Sequence, residues 1–217
     1  MSRDPSSLGY DIYTLPNGER VFYLDLTHSY FVNGVELPSI TTLLSATYGD
    51  IYSHVNKDVL AKAAERGTQI HQELQVHIDA RIEDRSHVVS GLCFKETENY
   101  FNIIEPIWKI SPIMTERVVV LYSPDGVPKA AGRFDMLCNV NGIQTLVDFK
   151  TTSVLHRREV TAQLNLYLMA AIQSGYIPDF EETSLGVIHL HGDTCKFMPI
   201  QRLSSGFYLQ FLNKLEV

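Results

Sequence analysis

Cysteine is scarce in this 217-residue chain: Cys93, Cys138 and Cys195 stand far apart, and no C-x-x-C pair occurs. An odd, scattered set supports neither a disulfide framework nor a four-cysteine zinc or iron–sulfur site. A reducing, cytoplasmic setting is the expectation. Long apolar runs are missing too. The longest, Leu166 to Ile172, falls far short of the ~20 residues a membrane-spanning helix needs. Met1 to Arg20 alternates polar, acidic and turn residues, Asp4 and Asp11 among them, so neither a secretory signal nor an acid-poor transit sequence is expected there. Basic residues are in deficit, 18 Lys and Arg against 25 Asp and Glu, a net charge of −7. Proteins that grip duplex DNA along a broad face are usually basic. Any nucleic-acid surface here is therefore expected to be a local groove. No G-x-x-x-x-G-K-[ST] occurs, which argues against ATP hydrolysis.

What remains is ordinary globular material, 45% hydrophobic and 20% charged, of a length suited to one domain with a small appendage. Tyr10 to Leu15, Val21 to Leu26, Tyr30 to Val32 and Val35 to Leu37 read as short strands, with an Asn33-Gly34 turn between the last two. Ser39 caps a helix from Ile40 to Ala46. Val59, Leu60, Ala63, Ala64, Ile70, Leu74 and Ile78 recur at helical spacing from Asn56 to about Ala80, with Gly67 as an interruption. A second helix is expected over 92–108. Strands follow at Glu116 to Tyr122, Arg133 to Val140 and Ile143 to Lys150, then a helix from His156 to Ser174 ended by Gly175. Strands at Leu185 to Leu190 and Lys196 to Ile200 and a helix from Leu203 to Leu215 complete the chain.

The hairpin 131–150 carries the chemistry. Asn141-Gly142 is a two-residue turn whose residues both accept positive φ. Val140 then pairs with Ile143, and counting outward sets Asp135 opposite Asp148, with Cβ atoms roughly 5 Å apart. Facing carboxylates repel, and a divalent cation removes the repulsion by taking both as hard oxygen ligands. Lys150 falls on the same side as Asp148 by the strand period of two. The alternative is a solvated ion-pair ladder, but Leu146, Val147 and Phe149 point to a buried strand, where unpaired acids are costly.

Asp135 with Asp148-Phe149-Lys150 resembles the metal-binding core of the PD-(D/E)XK nuclease superfamily. Gly67 to His71, similar to a helical G-x-x-x-H motif, narrows the resemblance to the RecB-like exonuclease branch. So do Lys150-Thr151-Thr152, Gln163 to Tyr167 as Q-x-x-x-Y, and the segment Val35 to Thr42, which is similar to phage-type and mitochondrial-type members. The resemblance spans roughly residues 30–190. It implies an α/β fold with a restriction-endonuclease-like core, a mixed central sheet flanked by helices. Residues 1–50 form a β-rich accessory layer, and 51–217 the nuclease core. His71, Asp135, Asp148 and the Phe149 carbonyl would hold Mg²⁺ or Mn²⁺, and Lys150 would activate the nucleophile. Gln163, Tyr167, Thr151, Glu116, Ser39 and Thr41 would support or touch substrate. Many relatives carry an iron–sulfur cluster, which three scattered cysteines cannot supply.

Each piece also has a plainer reading. His71 reads as a packed or solvent-facing residue, Tyr167 as core, Ser39 and Thr41 as helix caps, Glu116 as a salt-bridge partner, and His156, Arg157 and Arg158 as a solvated helix face. Glu73 and Gln75 read as surface, and His189 and His191 as structural. The combined expectation is a metal-dependent DNA exonuclease that takes single-stranded or frayed ends, with Tyr30, Phe31 or Tyr48 available for base stacking. A structure-specific endonuclease and a non-catalytic DNA-binding module are the alternatives.

Overall fold

In the computed structural model, which describes residues 9–49, 55–84, 86–178 and 183–213, Asn141 and Gly142 take φ values of 51° and 84°. These are the two left-handed conformations a type I′ turn demands. They fold β6 (Pro128–Val140) back on β7 (Ile143–Lys150) with Val140 opposite Ile143. β5 (Ser111–Tyr122) pairs antiparallel with the other edge of β6. β8 (Ser184–His191) runs parallel to β7, and β9 (Thr194–Ile200) completes a mixed sheet in the order β5-β6-β7-β8-β9. A parallel pair requires a crossover, which the helix α5 (Arg157–Gln173) supplies.

β7 is covered on both faces. Leu146 joins the apolar cluster that includes Leu164 and Leu168 of α5, while Val147 and Phe149 join Ile70, Leu74 and Ile78 of the helix α2 (Lys57–Glu83). Ahead of these lies a four-stranded antiparallel sheet: β1 (Tyr10–Thr14), β2 (Arg20–Leu24), β3 (Ser29–Val32) and β4 (Val35–Leu37). Its inner residues Val21, Tyr23, Tyr30 and Val32 pack on Val118, Val120 and Ala131 of β5 and β6. α1 (Ile40–Tyr48) follows, with Ser39 Oγ accepting the Thr42 N–H at 2.9 Å as the expected cap. The architecture is mixed α/β, a central sheet packed with helices and a smaller N-terminal sheet laid on it.

The structure departs from the sequence reading in several places. α2 runs unbroken through Gly67. A Cβ there would stand 3.0 Å from Thr151 Oγ1, so glycine permits a close approach of helix and loop rather than a break. The apolar positions of the first turns of α2 are not core, Val59 being 58% exposed; burial begins at Ile70. The segment 92–108 divides into α3 (Lys95–Asn99), a π-helical turn (Tyr100–Ile104) and α4 (Glu105–Trp108). β5 begins at Ser111, so Glu116 lies inside the strand rather than at its start. The last helix, α6, spans Ser205–Asn213, and Leu215 and Asp4 lie outside the described residues. No helix among the described residues is long and apolar enough to cross a membrane.

Gly132 on β6 faces the buried ring of Tyr167 on α5, and a Cβ added there would sit 2.7 Å from Tyr167 Cε1. A packed ring cannot give way cheaply, and overpacking of this kind costs about 1–3 kcal/mol. Gly132→Ala is therefore expected to lower the urea midpoint without changing the m-value. An unchanged midpoint would mean that helix and sheet are not held at this separation.

Candidate metal centre

Three neighbouring strands each bring one carboxylate to the same region. Thr115 pairs with Met136 and Arg117 with Phe134, which sets Glu116 beside Asp135. Glu116 has φ 49°, a left-handed conformation inside a strand that costs about 1–2 kcal/mol for a residue with a Cβ. The alternation of β6 slips at this point. Ala131 and Arg133 face the N-terminal sheet, yet Met136 and Cys138, of opposite parity, face α2 on that same side. Such local irregularities re-aim side chains and are common beside functional sites.

The same slip corrects the expected pairing of Asp135 with Asp148. The β6–β7 ladder follows the counted register as far as Met136 and Val147 and then opens. The next N–H of β7 bonds a side chain instead: Phe149 N donates to Asp135 Oδ2 at 2.6 Å. Phe149 thus enters the site through its N–H, while its ring packs edge-on against Tyr100 and His71.

His71 comes from α2, one turn after Gly67, with Nδ1 3.7 Å from Asp135 Oδ2. His71, Glu116 and Asp135 each offer a ligand atom, and these atoms lie within 4.8 Å of one another. One imidazole and two carboxylates form a donor set that could hold a metal ion. The three residues line a cleft of about 440 Å³ whose roof is Tyr23 and Tyr30 of the N-terminal sheet with Asp25 and His28 of the β2–β3 connection. Asp148 lies behind them, 3% exposed. Lys150 Nζ is 2.7 Å from Asp148 Oδ2 and 3.0 Å from Oδ1, and Gln163 Nε2 donates to Oδ1 at 3.2 Å. Lys150 does share a side with Asp148, as the strand period requires. Of the two, only Lys150 reaches solvent.

Charge here is incompletely balanced. Burial, reinforced by the charge of Asp135, pushes the Glu116 carboxyl up to about 8. Burial also lifts Asp148 to about 6, although Lys150 opposes the shift. A divalent cation reverses this tendency, since its own charge favours the ionised form of every ligand. The uncompensated acids, together with the donor set, fit a metal.

The remaining predicted residues fall into two groups. Gln163 and Tyr167 flank the acids from α5; burial and the nearby Asp135 and Asp148 keep the Tyr167 hydroxyl protonated far above its ordinary range. Thr151 lies against Gly67, and its carbonyl accepts from His191 Nδ1 at 2.9 Å, while His189 Nε2 donates to the Thr152 carbonyl at 2.7 Å. Those two histidines pin the loop after Lys150, a structural role as expected. Ser39 and Thr41 bond each other at the start of α1, which is tied to β6 by Ala131 N donating to Pro38 O, and neither lines the cleft. Tyr30 lines it, but Phe31 lies on the outer face against Tyr10. Tyr48 lies in a separate cleft with Arg157 and Arg158.

Four residues in or near the site escaped the sequence reading. Gln75 is half-buried in the cleft rather than on the surface, and Glu73 accepts the N–H groups of Cys93 and Phe94. Asp79, further along α2, accepts from Thr115 Oγ1. Arg133 was the findable one. It precedes Asp135 by two residues, which on a strand puts both on one side.

The raised Glu116 carboxyl has a direct consequence for stability. The folded metal-free protein keeps a proton up to about pH 8 that the unfolded chain releases near 4.5. Its stability therefore falls as pH rises through this window. Glu116→Gln is expected to melt higher than the parent at pH 8.5 in EDTA and to show little gain at pH 5. A variant less stable than the parent at both values would contradict this account.

No protein-family model matches the chain, and no curated protein matches it significantly. Among solved structures it is similar to SSO0001, at 12% identity and a TM-score of 0.35, over 64% of this chain and 83% of that one. It is also similar to a Eubacterium rectale protein titled "Putative exonuclease", at 10% identity and a TM-score of 0.40, over 71% of this chain and 63% of that one. Both likenesses are distant.

Proposed function

We propose that the chain is a metal-dependent deoxyribonuclease of the PD-(D/E)XK type, on a restriction-endonuclease-like core, that hydrolyses DNA phosphodiester bonds from an end. The observation that carries this reading is the convergence of Glu116, Asp135 and Asp148 from three adjacent strands. His71 joins them from α2, and Lys150 is bonded to the innermost acid. Burial first, and the charge of Asp135 second, raise Glu116 and Asp148 above their ordinary values, a cost that a bound cation would relieve. His71, Glu116 and Asp135 would hold Mg²⁺ or Mn²⁺, with Asp148 and the Phe149 carbonyl completing the set. When bound, such an ion polarises a phosphate and lowers the pKa of water. Lys150, held beside Asp148, orients the attacking water and stabilises the charge that develops on the phosphoryl oxygens. Gln163 holds Asp148 in place, and Tyr167 backs the strand at Gly132. The roof over the cleft favours a strand that threads by its end, and a net charge of −7 disfavours a broad duplex footprint.

The test is a product ladder from end-labelled DNA in Mn²⁺. Linear single-stranded DNA is expected to be degraded much faster than a covalently closed single-stranded circle of matched composition. Lys150→Ala is expected to be folded and inactive on both. Equal rates on line and circle would favour an endonuclease and sink the threading idea. Near-parental activity in Lys150→Ala would remove the site assignment itself.

A further inference from the structure

Arg133 stands in the cleft beside Glu116 and Asp135, and its ion pair with Glu116 is a long one with no hydrogen bond. Its Nε is 3.9 Å from Glu116 Oε2, beyond hydrogen-bond distance, and is buried without a hydrogen-bond partner. A bidentate arginine–carboxylate pair closes to about 2.7–2.9 Å. Two tyrosines of the N-terminal sheet hold the guanidinium off. It lies 5.7 Å from the ring centroid of Tyr13 and 5.2 Å from that of Tyr23, and Nη2 donates to the Tyr13 hydroxyl at 3.2 Å. Tyr23 is itself fixed, its hydroxyl bonding His28 Nδ1 at 2.7 Å. The side chain remains 30% exposed toward the cleft.

We infer that Arg133 is the phosphate-binding residue of this cleft, gripping a phosphodiester group of the bound strand next to the one that reacts, with Tyr13 and Tyr23 as positioning residues. This rests on the nuclease reading for the identity of the strand. The guanidinium presents five donors in a planar fork that matches phosphate oxygens, and among the described residues one of these is engaged. Lys150, the other cation at the site, is bonded to Asp148 and is assigned to the group that reacts, which leaves the neighbouring phosphodiester to Arg133. Ligation of a cation by Glu116 would leave Arg133 without a competing carboxylate. The N-terminal sheet thereby acquires a task beyond covering the core, because Tyr13 and Tyr23 set the angle of a cation that belongs to β6.

The experiment is fluorescence anisotropy with short single-stranded oligonucleotides in EDTA and again in Ca²⁺. In each, one phosphodiester is replaced by a neutral methylphosphonate, and the replacement is moved one linkage at a time from the end. The parent protein is expected to lose roughly tenfold or more in affinity at one linkage. Arg133→Ala is expected to bind the all-phosphodiester strand weaker by the same factor and to be indifferent to that linkage. Arg133→Lys, which keeps the charge and threatens folding least, should recover only part of the loss. Tyr23→Leu should weaken binding while leaving the linkage dependence in place. Absence of any sensitive linkage in the parent overturns the inference. So does an Arg133→Ala or Arg133→Lys protein that keeps the parental pattern. If the parent shows the pattern but cuts nothing in Mn²⁺, the nuclease reading fails and the phosphate site stands. If it cuts while Arg133 is irrelevant to binding, the reverse holds.

Discussion

The repulsion among Glu116, Asp135 and Asp148 is the constraint around which the rest of the molecule is arranged. Burial removes water from these carboxylates, and their mutual repulsion on adjacent strands adds to that larger cost. Two cations are near, and each is limited. Lys150 answers Asp148, and Arg133 stands back from Glu116 at 3.9 Å. A further positive charge is needed if all three acids are to be ionised at neutral pH. The left-handed backbone at Glu116 deepens the problem, since it stores strain to place an acid where another already lies. Strain of this kind persists only where the surrounding structure enforces it.

That enforcement is visible on every side of the site. β7 is clamped between two apolar clusters, so Asp148 and Lys150 cannot slide along the sheet. α2 is fastened to its neighbours by Arg66, which reaches the buried Glu96 at 2.9 Å, and Glu96 in turn accepts the Gly192 N–H at 3.0 Å. Burial raises the Glu96 carboxyl, but these bonds outweigh it and keep the group ionised below its ordinary range. His71 is thereby held at the rim by a helix that cannot drift. From the other side the N-terminal sheet packs through Val21, Tyr30 and Val32 onto β5 and β6 and closes the cleft from above. Rigid elements carry the functional groups, as a site that must hold charges close together requires.

Much of this was legible in the residues, and the limits have physical causes. Asn141-Gly142 admits one tight turn, so the register of β6 on β7 and the shared side of Asp148 and Lys150 followed by counting. Gln163 and Tyr167, four apart, had to share a helix face. Counting failed where the backbone left the regular strand. Nothing in the string around Glu116 announces a positive φ, and only the fold reveals that it joins His71 and Asp135 while Asp148 retreats behind them. Periodicity likewise marked Val59, Leu60, Ala63 and Ala64 as core, because an apolar helix face looks the same with or without a covering layer. The roof of Tyr23, Asp25 and His28 depends on a sheet-to-sheet contact between segments far apart in the chain, which no local pattern encodes.

The central claim is that these acids form a divalent-cation centre. The measurement that bears on it most directly is anomalous diffraction from crystals of the full chain soaked in Mn²⁺. The account predicts one dominant peak at bonding distance from His71, Glu116 and Asp135, lost in crystals of Asp135→Asn. A strong peak elsewhere, or none at this cluster under saturating Mn²⁺, would contradict it.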